Sequence, residues 1–244
     1  LSTDKHTLSI SVAKQLGEQI VSGRFKPGEK LREAMVAREF ETSRGPAREA
    51  LRLLASEGVV ELRPRQGAYV RQFSKRELIE IVEVRGSLFV TACRLFARRL
   101  GSGELGPETL DQMEEFRTKS QSANLEKADA GALFATETVA FRTHIMRHCG
   151  NSVLENQYEK LAGLTSGYYL HLTHRESQHR ERLMRLGRIL IDALQAGEVE
   201  IAGKIAQQLT HHNQTALLAS LDEIGDGNPA KHFDPTPLFD EAGS

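Results

Sequence analysis

Apolar residues recur along this chain in two styles, and the change between them divides it. Over the first 72 residues they fall into short stretches. Val12, Leu16 and Ile20 stand four apart, the spacing that gathers side chains onto one face of a helix ending near Ser22-Gly23. Phe25-Lys26-Pro27-Gly28 predicts a turn, and Leu31 to Phe40 a second short helix. Ala47, Ala50, Leu51 and Leu54 predict a third, with Ser43 as N-cap, Pro46 in the first turn and Gly58 as the stop. Val59–Leu62 and Ala68–Arg71 predict two strands around Arg63-Pro64-Arg65-Gln66-Gly67, which has the punctuation of a hairpin loop. From Lys75 onward the pattern is helical, with few strand signals. Leu78, Ile81, Val82 and Arg85 open a long helix that continues through Ala92 and Phe96 to Leu100, where Gly101-Ser102-Gly103 and Gly106-Pro107 break it. Further helices are expected near 108–124, 127–149, 152–171, 178–196 and 198–221, followed by a loose tail from Gly225.

The third helix has two faces with different chemistry. Its apolar stripe seats it on a small core, while Arg44, Arg48 and Arg52 stand four apart on another side. A guanidinium fork donates two hydrogen bonds at once, which suits both phosphates and the O6/N7 edge of guanine. Three helices followed by a basic hairpin describe a winged helix-turn-helix. Here the sequence resembles the GntR family of bacterial transcription regulators, through Pro27-Gly28-Glu29-Lys30-Leu31, Ser43-Arg44-Gly45-Pro46-Ala47-Arg48-Glu49-Ala50-Leu51, Glu57-Gly58-Val59-Val60, and Pro64 with Gly67. The resemblance implies double-stranded operator DNA as partner. It points to Arg32, Ser43, Arg44, Gly45 and Arg48 around the recognition helix, and to Arg65, Gln66 and Gly67 in the wing, as the DNA-contacting set.

Composition narrows the function classes. The first 72 residues hold 13 Lys and Arg against 9 Asp and Glu, a balance of +4, and the remainder 19 against 24, a balance of −5. The more basic part is the one with the arginine-faced helix, a modest electrostatic argument for nucleic acid. No run of about 18 apolar residues and no apolar leader is present, so neither a membrane partner nor a secretory signal is expected and the location expected is cytoplasmic. Cys93 and Cys149 are expected to be reduced, buried core residues. The chain has no Gly-x-Ser-x-Gly, no Gly-x-x-x-x-Gly-Lys-Ser/Thr, no Cys-x-x-Cys and no His-Glu-x-x-His, so catalysis is not expected.

The helical part is similar to the ligand-sensing C-terminal domain of the FadR subfamily within GntR. Glu83-Val84-Arg85, Phe141-Arg142, Gly150-Asn151 with Leu154, Ala193-Leu194, and Gly197-Glu198 with Ala202 carry the likeness. It implies an antiparallel helical bundle that dimerises and binds a small effector. The fold class expected is therefore mainly α: an N-terminal winged helix-turn-helix with a small β-hairpin wing over 1–72, an antiparallel all-α bundle over 73–224, and a tail over 225–244. Many subfamily members hold a metal through an Asp-x-x-x-His pair and two later histidines. Matching through Phe141 and Gly150-Asn151 puts Thr138, Arg142, Gly187 and Leu209 at those positions, so no metal and no other cofactor is expected. Arg142 would place a guanidinium where the family has a cation, and Arg85 would supply a second. The effector-binding set expected is Arg85, Thr138 and Arg142, for a carboxylate or another anion.

Histidine spacing offers a weaker alternative. His144 and His148 are four apart, and His171 and His174 three apart. His144 lies two positions from Arg142, roughly 200° around the helix, and is expected to point away from the effector site as a solvated or interface residue. His211-His212 gives a similarly weak signal, and either residue could serve one ligand position of a degenerate site. The mechanism expected is a homodimer on a short palindrome, with a ligand in the bundle altering the placement of the two DNA-binding heads. A constitutive repressor with an effector-free bundle, or an enzyme joined to a DNA-binding head, are the alternatives.

Overall fold

The computed structural model describes residues 2–21, 24–122, 130–173 and 177–223. The tail expected from Gly225, the helix end near Ser22-Gly23, and His174 lie outside them, as does the side chain of His171. The head opens with α1 (Ser2–Val21), β1 (Lys30–Leu31), α2 (Glu33–Glu39) and α3 (Arg44–Ser56), then β2 (Val60–Arg63) and β3 (Gly67–Val70). Val12, Leu16 and Ile20 of α1 are buried against Ala47, Ala50, Leu51 and Leu54 of α3, with Leu31, Val36, Val60, Ala68 and Val70 completing this first core. Gly58, at φ 78°, reverses the chain after α3 in the left-handed region that glycine occupies without steric cost. Its N–H donates to Ala55 O and that of Val59 to Leu54 O, which satisfies two of the last helix carbonyls.

Two sequence expectations change here. Leu31 does not start the second helix; with Lys30 it forms a short strand, paired antiparallel with β3 in the register Lys30 to Tyr69 and Leu31 to Ala68. The wing is thus the outer part of a three-stranded sheet ordered β1-β3-β2. Free edge groups of the hairpin explain this: Gly28 donates to Val70 O and Val70 to Glu29 O, so the segment before α2 finds backbone partners that a helix start would lack. Ser43 does hold the N-cap position of α3 in extended backbone, but its side chain makes no capping bond.

A short link leads to the bundle. Phe73 is buried, and Ser74 opens α4 (Lys75–Gly101) with reciprocal bonds, its hydroxyl accepting from Glu77 N while the Glu77 carboxylate accepts from Ser74 N. Arg71, at the end of the wing, donates to the same carboxylate at 3.2 Å. These bonds hold the Glu77 carboxyl below the usual carboxylate range, the Ser74 backbone N–H contributing most.

The bundle continues with α5 (Pro107–Ser122), α6 (Ala130–His148), α7 (Ser152–Thr173), α8 (Ser177–Gln195) and α9 (Val199–Glu223). α9 lies antiparallel along α4. Gln214 Nε2 donates to Glu83 at 3.0 Å near one end, and a Cβ on Gly197, just before α9, would come 2.8 Å from Gly101 Cα at the other. Gly197 also takes φ 70°, so both space and backbone demand glycine where α8 turns into α9. The second core joins Phe89, Cys93 and Phe96 of α4 to Met113, Ile145, Met146, Leu190, Leu194 and Ala206. Cys93 and Cys149 are both buried and free, and burial pushes both thiols up, away from the reactive thiolate.

Candidate functional site

Two groups of polar side chains stand out against these cores, one outside and one inside. The outer group is on the head. Arg44, Arg48 and Arg52 are exposed on the side of α3 away from its buried stripe, and all three lower the Glu33 carboxyl, which opens α2. The largest contribution is a bidentate pair, Arg48 Nε donating to Glu33 Oε1 at 2.7 Å and Nη2 to Oε2 at 2.9 Å. The expected reader Arg48 is therefore held by a carboxylate across the helix-turn-helix, whereas Arg44 at the first position of α3 has no ion pair among the described residues. Arg32, the residue before α2, is exposed, as are Ser43 and Gly45.

The wing carries its own cations. Arg63 stacks on Tyr69 with its guanidinium carbon 4.3 Å from the ring centre, and Lys30 approaches the same ring at 5.6 Å. Arg65 and Gln66 are exposed at the tip, and Arg65 adopts φ 62° and Gly67 φ 98°. A non-glycine residue in that region is uncommon, and it holds the Arg65 side chain at the outermost corner of the hairpin.

The inner group lies within the bundle. Arg85 of α4 and Arg142 of α6 are only 7% and 9% exposed, so neither is a solvated surface charge. Both guanidiniums hydrogen-bond the phenol of Tyr158 on α7. Arg85 also lies over the Tyr158 ring at 5.5 Å, and Arg142 over Phe89 at 5.0 Å. Burial pushes the phenol up, but Arg142 and then Arg85 outweigh it and leave Tyr158 below the ordinary tyrosine value. Thr138 is half-buried one turn before Arg142. Leu209 is buried, and a side chain at Gly187 would meet no atom within 4 Å. Sequence spacing gave no sign of Tyr158, because a tyrosine on an apolar stripe looks the same whether its hydroxyl meets water or two arginines.

Histidines require a correction. His144 is an interior residue and not a solvated one. It is 5% exposed, edge-on to Phe96 at 5.8 Å, 5.8 Å from Phe116 and 4.4 Å from His148. The reason is that α6 is covered both by α4 and by α5, so opposite faces are both interior. Burial, and next His148, push His144 down to about 4. On α8 and α9, His179 stacks on His212 at 4.7 Å and donates through Nε2 to Asn213 Oδ1 at 3.3 Å. Among the described residues no three His, Cys, Asp or Glu side chains are grouped so as to hold an ion.

Comparison with known proteins fits this geometry. Residues 8–70 match the pattern of bacterial regulatory proteins of the gntR family, and residues 80–212 match the FCD domain. The chain belongs to the GntR family, in its FCD-containing branch. It is 30% identical over 230 residues to a probable D-xylose utilization operon transcriptional repressor of Paenarthrobacter nicotinovorans, covering 92% of this chain and 95% of that one. The gluconate operon transcriptional repressor of Bacillus subtilis is 31% identical over 166 residues, 68% of this chain and 65% of the repressor. Among solved structures, McbR/YncC of Escherichia coli superposes with a TM-score of 0.73 at 25% identity, over 88% of this chain and 98% of that one. This GntR protein is accordingly a bacterial transcription regulator with a winged helix-turn-helix head, and not an enzyme. No helix among its described residues is long and apolar enough to cross a membrane.

Proposed function

We propose that the protein is a repressor that binds palindromic operator DNA as a homodimer in the cytoplasm and is controlled by a small organic acid or other anionic metabolite. Residues 1–72 act as the DNA-binding domain and 73–224 as the effector-binding and dimerisation domain. Arg44 and Arg48 reach base edges and phosphates in the major groove, with Arg32, the Ser43 hydroxyl and the Gly45 backbone on the flanking phosphates. Arg65, Gln66 and Gly67 carry the wing to the minor groove. The observation behind this half is the exposed arginine face of α3, with the Ser43 hydroxyl left uncommitted at its N-terminus. One head covers one half-site, so a palindrome calls for two copies of the chain.

The observation that carries the effector half is the convergence of two buried guanidiniums, Arg85 and Arg142, on one phenolic oxygen. A bound carboxylate takes charge-assisted hydrogen bonds from both, with Thr138 beside them, and no metal is involved. Control follows from linkage: a ligand that favours the DNA-incompetent dimer binds the operator complex more weakly by the same factor that it weakens operator binding.

One pair of variants tests both halves. Arg44→Ala should weaken operator binding by about 1–3 kcal/mol and leave dimerisation unchanged, read by fluorescence anisotropy and sedimentation. Arg142→Ala should keep operator affinity without effector and lose the response to organic acids. Wild-type operator affinity in Arg44→Ala would refute the recognition helix. Absence of any organic-acid response in the unaltered protein would leave a constitutive repressor.

A further inference from the structure

The sheet of the head has two faces, and only one belongs to the core. Leu31, Val60, Ala68 and Val70 are buried against α1 and α3, so the alternation of side chains along each strand puts Lys30, Glu61, Arg63, Gly67 and Tyr69 on the outer face. The register lines up three of them across the sheet: Lys30 of β1, Tyr69 of β3 and Glu61 of β2. Both cations of this face lean on the same ring, Arg63 at 4.3 Å and Lys30 at 5.6 Å from its centre. Glu61 accepts from Nη2 of Arg63 at 3.0 Å, and the other N–H groups of that guanidinium have no hydrogen bond among the described residues. Lys30 has neither a hydrogen bond nor an ion pair among them. Its stem runs beside the wing turn, since a Cβ on Gly67 would lie 3.8 Å from Lys30 Cε. One ring thus gathers two long side chains that would otherwise rotate freely, and leaves most of their donors unspent.

We infer that this outer face is a DNA contact of its own, separate from the wing tip, in which Lys30, Arg63 and the Tyr69 hydroxyl bind the phosphodiester backbone at the rim of the groove that the tip enters. This rests on the proposal that the head binds duplex DNA. Width decides between rim and groove. Neighbouring strands are about 4.8 Å apart, so three strands span roughly 10 Å, more than the roughly 6 Å of a minor groove. The hairpin turn can enter, but β1 cannot follow it, and Lys30, beside Gly67, is left where the phosphates stand. The chemistry matches that position. An ammonium and a phenol bond a phosphate oxygen without reading a base, and Arg63 has donors left over from Glu61. Arg71, the next residue beyond β3, is committed to Glu77, which confines the contact to the tip side of the face. Because backbone phosphates are the same in every sequence, this face adds affinity for any duplex, whereas Arg44 and Arg48 discriminate between them.

The test uses the full chain and two DNA probes: a duplex enriched from a random pool by the unaltered protein, and a scrambled duplex of the same length and composition. Anisotropy titrations across a salt series give affinity and its salt dependence for each. Lys30→Gln and Arg63→Gln should each weaken both duplexes by the same factor and reduce the slope of log K against log salt by about 1. Tyr69→Phe keeps the ring that seats the cations, and should weaken both duplexes alike with the slope unchanged. Arg44→Ala, the control, should weaken the enriched duplex more than the scrambled one. Unchanged slopes in both Gln variants, while Arg44→Ala still acts, would overturn the outer-face contact and leave the recognition helix in place. So would a loss confined to the enriched duplex, which would make Lys30 or Arg63 a base reader, and so would a lowered melting temperature with unaltered DNA binding, which would make them supports of Tyr69. If the unaltered protein enriches no duplex and binds the scrambled one no better at low salt than at high salt, the outer face and the DNA-binding head fall together.

Discussion

The head and the bundle handle charge in opposite ways. In the head the buried residues described are apolar apart from Ser9 of α1, and the arginines of α3 stand outside, exposed or paired with carboxylates. In the bundle, Arg85, Arg142, Arg180, His144, His179 and Asn213 are inside, among phenylalanines and leucines. The difference suits the two ligands proposed above for these parts. A DNA duplex is larger than the head and presents its charge outward, so the head needs an exposed face and a rigid seat. A small anion can be enclosed, and enclosing it strengthens each hydrogen bond by removing water. The bundle therefore carries charged and titratable groups whose desolvation works against stability, and the described residues of the head bury none of these.

The sharpest way to break this comparison is to damage each core separately. Phe96→Ala, in the centre of the bundle, should destabilise by about 3–5 kcal/mol, and Leu51→Ala under α3 by about 2–5 kcal/mol. If the two cores unfold independently, each substitution lowers only one of two calorimetric transitions. A single transition lowered by both would mean that the packing of α1 on α7 and the link through Phe73, Ser74 and Glu77 join them into one cooperative unit.

Acid should act on the bundle and spare the head. His144 and His179 sit at about 4 in the folded chain, against about 6.5 when unfolded. The unfolded state then binds more protons between those values, so stability is complete above pH 6.5 and falls as pH drops toward 4. Each histidine accounts for up to about 3 kcal/mol across that window. His144→Phe, which keeps the aromatic contacts with Phe96 and Phe116, should flatten the fall measured by urea unfolding at pH 7 and pH 4.5. An unchanged slope would show that His144 is not protonated on unfolding in this range.

The smallest expected effect is on the head. Glu33 holds Arg48 in place, and on the proposed reading it would compete with DNA for that guanidinium. Glu33→Gln should release it, raising affinity for nonspecific DNA and slightly lowering the ratio of operator to nonspecific binding, since an exposed pair is worth little. Anisotropy titrations on both DNAs across a salt series measure the ratio directly. A ratio equal to that of the wild type would mean that the pair does not order Arg48.

How much of this could be read in the chain differs between the parts in the same way. The arginine spacing of α3, its apolar stripe and Gly58 were legible because a short amphipathic helix shows its two faces in local periodicity. The partner of Arg48 was not, since Glu33 is fifteen residues away and meets it only when α2 crosses α3. Strand β1 was missed because two residues carry no period of their own, and its backbone bonds come from β3.

Sequence by itself determined the order of the helices and of the hairpin strands, the two kinds of core and the membership of the GntR family, because those depend on residue type at helical or strand spacing and on motifs of adjacent residues. It also picked out Arg85 and Arg142, through stretches likened to the family. Only the tertiary structure decided that these two arginines share Tyr158, that His144 is interior, and that Asn213 is buried against His179. Such facts depend on how α4, α6, α7, α8 and α9 are set side by side. Local periodicity reports which face of a helix is buried, but the partner across the interface is a property of the packing.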